Sequence, residues 1–85
     1  MHNDSLEIFA KVVEYKSFSA ASRVLYISPV AIRKHIDKLE KELGVGLFKR
    51  SSKGVILTEK GEILYAAVKR MKDIYDECLL KLKDD

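Results

Sequence analysis

At 85 residues, 47% hydrophobic and 34% charged, the chain has the balance of a single globular domain with one modest core, which argues against disorder and excludes a second domain. No apolar run approaches the roughly 20 residues of a membrane span and no basic segment leads into an apolar one, so the chain is expected in the cytoplasm without a membrane role. Its one cysteine, Cys78, rules out an intrachain disulfide and a zinc site of several thiolates.

Asp4 or Ser5 can cap a first helix in which Leu6, Phe9, Val12 and Val13 form the apolar stripe, with Ile8 and Ala10 off it. That helix should fade near Tyr15 and Lys16, because Ser17-Phe18-Ser19 offers a new capping hydroxyl. A short second helix follows, with Ala20, Ala21, Val24 and Leu25 as its small-residue face, and Tyr26-Ile27 leaves room only for a turn. Ser28 then opens a third helix, with Pro29 suited to the first helical position. Ile32, Ile36, Leu39 and Leu43 share one side of it and are expected in the core, which leaves Arg33, Lys34, His35, Asp37, Lys38, Lys41 and Glu42 mostly outside. Two helices joined by a short turn, the later one capped by serine, form the helix-turn-helix arrangement that lays its second helix in the DNA major groove.

Gly44 supplies a left-handed end to the third helix and Val45-Gly46 a reversal. Leu47-Phe48-Lys49-Arg50 and Val55-Ile56-Leu57 flank Ser51-Ser52-Lys53-Gly54 and predict a two-stranded wing. So small a hairpin must be gripped by the helices through Leu47, Phe48, Val55 and Leu57, leaving Lys49, Arg50 and Lys53 at its edge and tip. Thr58 caps the last helix, which Gly61 does not break. There Leu64, Val68, Met71, Tyr75, Cys78 and Leu82 make a heptad seam, with Ile63, Ala67, Ile74 and Leu79 beside it. A helix that long outreaches so small a domain, so part of its apolar face should meet the same helix of a second chain across a two-fold axis.

The net charge of +3 is unevenly spread. Residues 1–27 are balanced, residues 28–60 carry eight cations against four acids, and residues 61–85 carry five against six. The excess surrounds the third helix and the wing, as a phosphate-binding surface requires. No Gly-rich phosphate loop, nucleophile with a base, or pair of histidines at metal-binding spacing is present, so neither an enzyme nor a cofactor is expected. His35 is expected to be exposed or half-packed, and Glu40 and Glu42 to pair with lysines or to cap interior polar groups.

Ser17-Phe18-Ser19-Ala20-Ala21, then Leu25, Ile27-Ser28, Ala31-Ile32, Ile36, Leu39-Glu40, Glu42-Leu43-Gly44-Val45, Leu47-Phe48, Arg50 and Leu57-Thr58-Glu59-Lys60-Gly61 together resemble the N-terminal domain of LysR-type transcriptional regulators. The likeness runs without a gap from about residue 5 to 65. It implies a mainly α fold: a winged helix-turn-helix with a three-helix core, a two-stranded wing and a long C-terminal dimerisation helix. Residues 1–58 are then the DNA-binding part and 59–85 the linker and dimerisation helix of the same domain. The implied partners are double-stranded DNA and a second copy of the chain. Family members carry a ligand-sensing domain beyond this one, and no ligand site is assigned within these residues.

Carried over position by position, the resemblance places Ser28 at the serine that opens the recognition helix, Lys34 at a backbone-contacting arginine and Arg50 at the arginine that starts the wing. The expected DNA-facing set is Ser28, Pro29, Val30, Arg33, Lys34, Lys38, Arg50, Ser52 and Lys53. Pro29 stands where the family often has glutamine and Arg33 where it usually has a small serine, so the preferred site should differ from that of commoner relatives, with Arg33 able to make a bidentate guanine contact. Two other readings stay open: a protein-interaction module that pairs with related regulators through the last helix, and a stand-alone regulator resembling the ModE N-terminal domain, whose wing pattern fits less well.

Overall fold

Apolar side chains from three helices and the entrance to a hairpin meet around Phe9. A computed structural model of the chain describes residues 4–52 and 54–83. In it Phe9, Val12, Ile32 and Leu47 are the largest side chains fully removed from solvent. The elements run α1 (Asp4–Tyr15), α2 (Phe18–Leu25), α3 (Pro29–Leu43), β1 (Phe48–Ser51), β2 (Gly54–Leu57) and α4 (Glu59–Lys83). This is the mainly helical, winged helix-turn-helix architecture with a long last helix that the sequence predicts.

Local chemistry sets most boundaries. After α1, Lys16 takes a left-handed backbone with φ 54°, and the Ser17 hydroxyl accepts the Ala20 N–H at 3.1 Å to open α2. Tyr26, also left-handed at φ 59°, closes α2 with its N–H on the Ser22 carbonyl. Two residues later the Ser28 hydroxyl accepts the Ala31 N–H at 3.1 Å and Pro29 occupies the first turn of α3. Gly44, at φ 72°, ends that helix with its N–H on the Glu40 carbonyl at 2.8 Å. The two strands pair antiparallel with Phe48 opposite Leu57 and Arg50 opposite Val55.

Packing departs from the predicted stripes at several positions. Ile8 is in the core, because α1 is covered by α2, α3, α4 and β2 and so buries a wider face than one stripe. Val24 is exposed: the inward side of α2 starts from Phe18 and runs through Ala21 to Leu25, which turns Val24 away. Leu43 is 48% exposed, since it is the last residue of α3 and the chain already reverses at Gly44. Asp4 and Ser5 lie within α1, and the Ser5 hydroxyl is 3.4 Å from Nδ1 of the half-buried His35.

The wing is fastened at Leu47. The Glu40 carboxylate accepts the Leu47 N–H at 2.6 Å and the Phe48 N–H at 3.3 Å, and the Leu47 carbonyl accepts the Thr58 N–H at 2.9 Å. Thr58 donates its hydroxyl to the Gly46 carbonyl at 2.7 Å and takes the Gly61 N–H at 3.0 Å, so one side chain ties the wing to the first turn of α4. Gly61 is needed there for a reason periodicity cannot show. A Cβ at that position would stand 2.2 Å from the Leu47 carbonyl oxygen and 2.7 Å from Leu57 Cδ2.

Only the first part of α4 rests on this core. Leu64, Tyr65 and Val68 pack against it, whereas residues 72–83 are exposed. The seam predicted as one surface is therefore divided, with Leu64 and Val68 engaged by their own domain. Among the described residues no helix is long and apolar enough to cross a membrane.

Gly61→Ala should lower unfolding free energy by about 3 kcal/mol, because overpacking here meets backbone that cannot yield. Urea denaturation followed by circular dichroism measures this, and the same substitution at exposed Gly46, whose Cβ would meet nothing closer than 4.0 Å, should cost far less.

Candidate nucleic-acid interface

Burial of Ile32, Ile36 and Leu39 fixes the rotation of α3. The opposite face then carries Val30, Arg33, Lys34, Asp37, Lys38 and Lys41, all exposed. Ser28 and Pro29 are also exposed at the helix start, although the Ser28 hydroxyl is already occupied by the cap. Pro29 removes one N–H from the first turn, so anion binding at this end must rely more on side chains. Val30 is 66% exposed and Tyr26, just ahead of the cap, 93%. These two place apolar surface beside the cations.

The wing adds Lys49, Arg50 and Ser52, all exposed. Lys53, the remaining predicted wing contact, lies outside the described residues. The wing is also tied to the turn between α1 and α2, where the Val55 N–H reaches the Lys16 carbonyl at 3.4 Å. Ion pairs join Lys11 to Glu14 on α1 and Lys81 to Glu77 on α4, each at 3.5 Å. Among the described residues none neutralises Arg33, Lys34, Lys38 or Arg50, so their charge is available to an anionic partner.

Helix α3 and the wing come together over a single ring. The Arg33 Cζ lies 5.2 Å from the Phe18 centroid and the Arg50 Cζ 5.8 Å from it, both within cation–π range. No group of histidine, cysteine, aspartate and glutamate suited to a metal ion occurs among the described residues.

With this geometry in view, residues 3–62 match the family described as bacterial regulatory helix-turn-helix proteins, lysR family. The chain belongs to the lysR family. It is 42% identical over 76 residues to the HTH-type transcriptional activator AaeR of Escherichia coli (strain K12), covering 85% of this chain and 25% of that protein. It is 40% identical over 77 residues to the HTH-type transcriptional regulator CysL of Bacillus subtilis (strain 168), covering 91% of this chain and 26% of that one. The chain thus spans about a quarter of the length of these curated relatives. Its structure is similar to that of a BenM DBD in complex with catB site 1 DNA, with a TM-score of 0.88, 31% identity, and coverage of 98% of this chain and 93% of that one. A CbnR DBD–DNA complex is likewise similar, with a TM-score of 0.84, 28% identity, and coverage of 98% and 95%.

Against this lysR-family background, two residues gain roles that sequence reading did not assign. Phe18 reads as part of a family motif and as a bulky neighbour of a cap; that its ring underlies two arginines from distant parts of the chain has no local signature. Glu40 is one of two carboxylates with open alternatives, and it takes the second of them by capping the backbone of Leu47 and Phe48. Its partner in that expectation, Glu42, is exposed.

Glu40→Ala should cost about 2 kcal/mol, because it leaves the partly buried N–H groups of Leu47 and Phe48 without their charged acceptor. Glu40→Gln, which keeps an acceptor oxygen, should lose less. Urea unfolding gives the totals, and faster amide hydrogen exchange at Leu47 and Phe48 locates the loss.

Proposed function

We propose that this chain is the DNA-binding domain of a LysR-type bacterial transcriptional regulator, working in the cytoplasm as a homodimer on double-stranded DNA by binding alone, without catalysis. The observation that carries the reading is the exposed cationic face of the serine-capped α3, without an ion-pair partner among the described residues and standing beside a basic wing. Names of relatives support it, since they include transcriptional activators and regulators and DBD–DNA complexes. In this reading residues 1–58 engage the duplex and 59–85 pair the two copies.

Each residue then has a physical task. The first turns of α3 enter the major groove, where Ser28, Pro29 and Val30 lie against the duplex and Arg33 reads a base edge, with guanine O6 and N7 as the fitting acceptors. Lys34 and Lys38 meet backbone phosphates, and Arg50, Ser52 and Lys53 of the wing hold the flanking backbone or minor groove. Pairing uses the outer part of α4, where Met71, Tyr75, Cys78 and Leu82 of the predicted seam continue outward from Leu64 and Val68. A groove of about 380 Å³ between α1 and α4, bordered by Leu6, Ala10, Leu25, Val68, Met71 and Tyr75, offers the partner's helix a seat. Ile74, Leu80 and Leu82 are 63%, 70% and 73% exposed in the single chain, an apolar surface that a second copy would cover.

Selection of bound duplexes from a random pool should return a pseudo-palindrome whose half-sites are spaced by the dimer. Lys34→Ala should weaken all duplexes alike and reduce the slope of log affinity against log salt by about 0.9 per domain. Arg33→Ala should instead relax preference at one base pair by about 1–3 kcal/mol. Equal binding of selected and scrambled duplexes, with no salt response, would exclude the reading. For pairing, Leu79→Asp should convert a sedimenting dimer to a monomer without loss of helix signal, because the new charge has no counterion in an apolar seam. A wild-type chain that sediments as a monomer at about 10 μM would remove the stable homodimer of this reading, which needs a Kd well below that concentration.

A further inference from the structure

We propose that Phe18 is a positioning residue for DNA recognition, whose ring holds Arg33 of α3 and Arg50 of the wing as one unit and so couples base preference to backbone contact. The inference rests on the DNA-binding reading above. Phe18 is half-buried, and its ring packs edge-on against Phe48 of β1 at 6.2 Å and 68°. Phe48 is in turn 5.3 Å from the fully buried Phe9. The platform is therefore anchored to the core on one side and meets two guanidiniums on the other.

An unconstrained arginine spreads over many rotamers and gives up that freedom when it is fixed on a ligand. A ring centroid at 5.2 Å and 5.8 Å restricts both guanidiniums before any ligand arrives. Among the described residues neither arginine has an acidic partner, so two like charges share one aromatic site. A polyanion relieves that repulsion, and the two arginines reach it from different elements: one from the helix that faces base edges, one from the strand that faces backbone. Displacing either must change the environment of the other. Base reading at Arg33 and phosphate contact at Arg50 are then a coupled pair, and Phe18 sets the coupling without touching DNA.

The test uses the full 85-residue chain, a duplex recovered from a random pool by the wild type, and a scrambled duplex. The proteins are the wild type, Phe18→Leu, Phe18→Tyr, Arg33→Ala, Arg50→Ala and the double arginine variant. The affinity losses of the single arginine variants should fail to multiply in the double variant by at least about threefold, the mark of residues that act together. Phe18→Leu, which keeps apolar bulk but loses the ring face, should cut the ratio of selected to scrambled affinity at least about fivefold and abolish the coupling, whereas Phe18→Tyr should preserve both. In the free protein the Arg33 and Arg50 Nε–H resonances should show a ring-current shift in the wild type and Phe18→Tyr and lose it in Phe18→Leu. Should Phe18→Leu fail to fold, the arginine cycle and the wild-type ring-current shifts decide the matter by themselves. Independent, multiplying arginine effects in a wild type that does discriminate its selected duplex would overturn the proposal and leave the DNA-binding reading intact. A wild type that discriminates no duplex would overturn the DNA-binding reading, and the proposal with it.

Discussion

The backbone of Leu47 is the point on which this small structure turns. Its side chain is fully buried, its N–H goes to the Glu40 carboxylate, its carbonyl takes the Thr58 N–H, and the Gly61 backbone passes close enough to exclude any side chain. A two-stranded hairpin has little stability of its own. Here both of its ends are held, the entrance by α3 through Glu40 and the exit by Thr58 at the cap of α4, so the wing takes a defined place beside α3. A charged acceptor matters at this point because two consecutive N–H groups must be satisfied where the chain passes from the end of one helix into the first residue of a strand.

The same economy appears in the aromatic residues. Tyr65 of α4 lies 6.4 Å from Phe9 of α1, Phe9 lies 5.3 Å from Phe48 of β1, and Phe48 lies 6.2 Å from Phe18 of α2. This run of rings crosses the core and emerges beneath Arg33 and Arg50. The exposed cationic surface is therefore continuous with the most tightly packed part of the domain, which orients its charged groups in advance. Charge by itself would attract any polyanion; orientation is what allows one sequence to be preferred over another.

The long helix α4 has two occupations along its length. Its first turns, through Gly61, Leu64, Tyr65 and Val68, complete the core of their own domain, and its later turns carry apolar side chains that the single chain leaves in solvent. A heptad pattern describes both portions equally well, because it records that a face is apolar and not what covers it.

Much of the fold is legible in the sequence because it depends on local chemistry. Ser17 and Ser28 as caps, Pro29 in the first turn, Gly44 as a left-handed terminus and Thr58 before α4 each act within a few residues, and the inward stripe of Ile32, Ile36 and Leu39 follows from helix period. The cationic character of α3 and the wing can likewise be counted off the chain. What tertiary structure decided is which faces are covered and which distant groups meet. Ile8 is buried because four other elements surround α1, Val24 is exposed because the inward side of α2 runs through Ala21 to Leu25, Leu43 is exposed because its helix ends there, and Gly61 is required because the Leu47 carbonyl, fourteen positions earlier, lies where its Cβ would stand. Glu40 reaching the wing and Phe18 beneath Arg33 and Arg50 belong to the same class. Periodicity and capping are properties of adjacent residues, whereas contact across the fold depends on where whole elements come to rest, and that is set only when the core has closed.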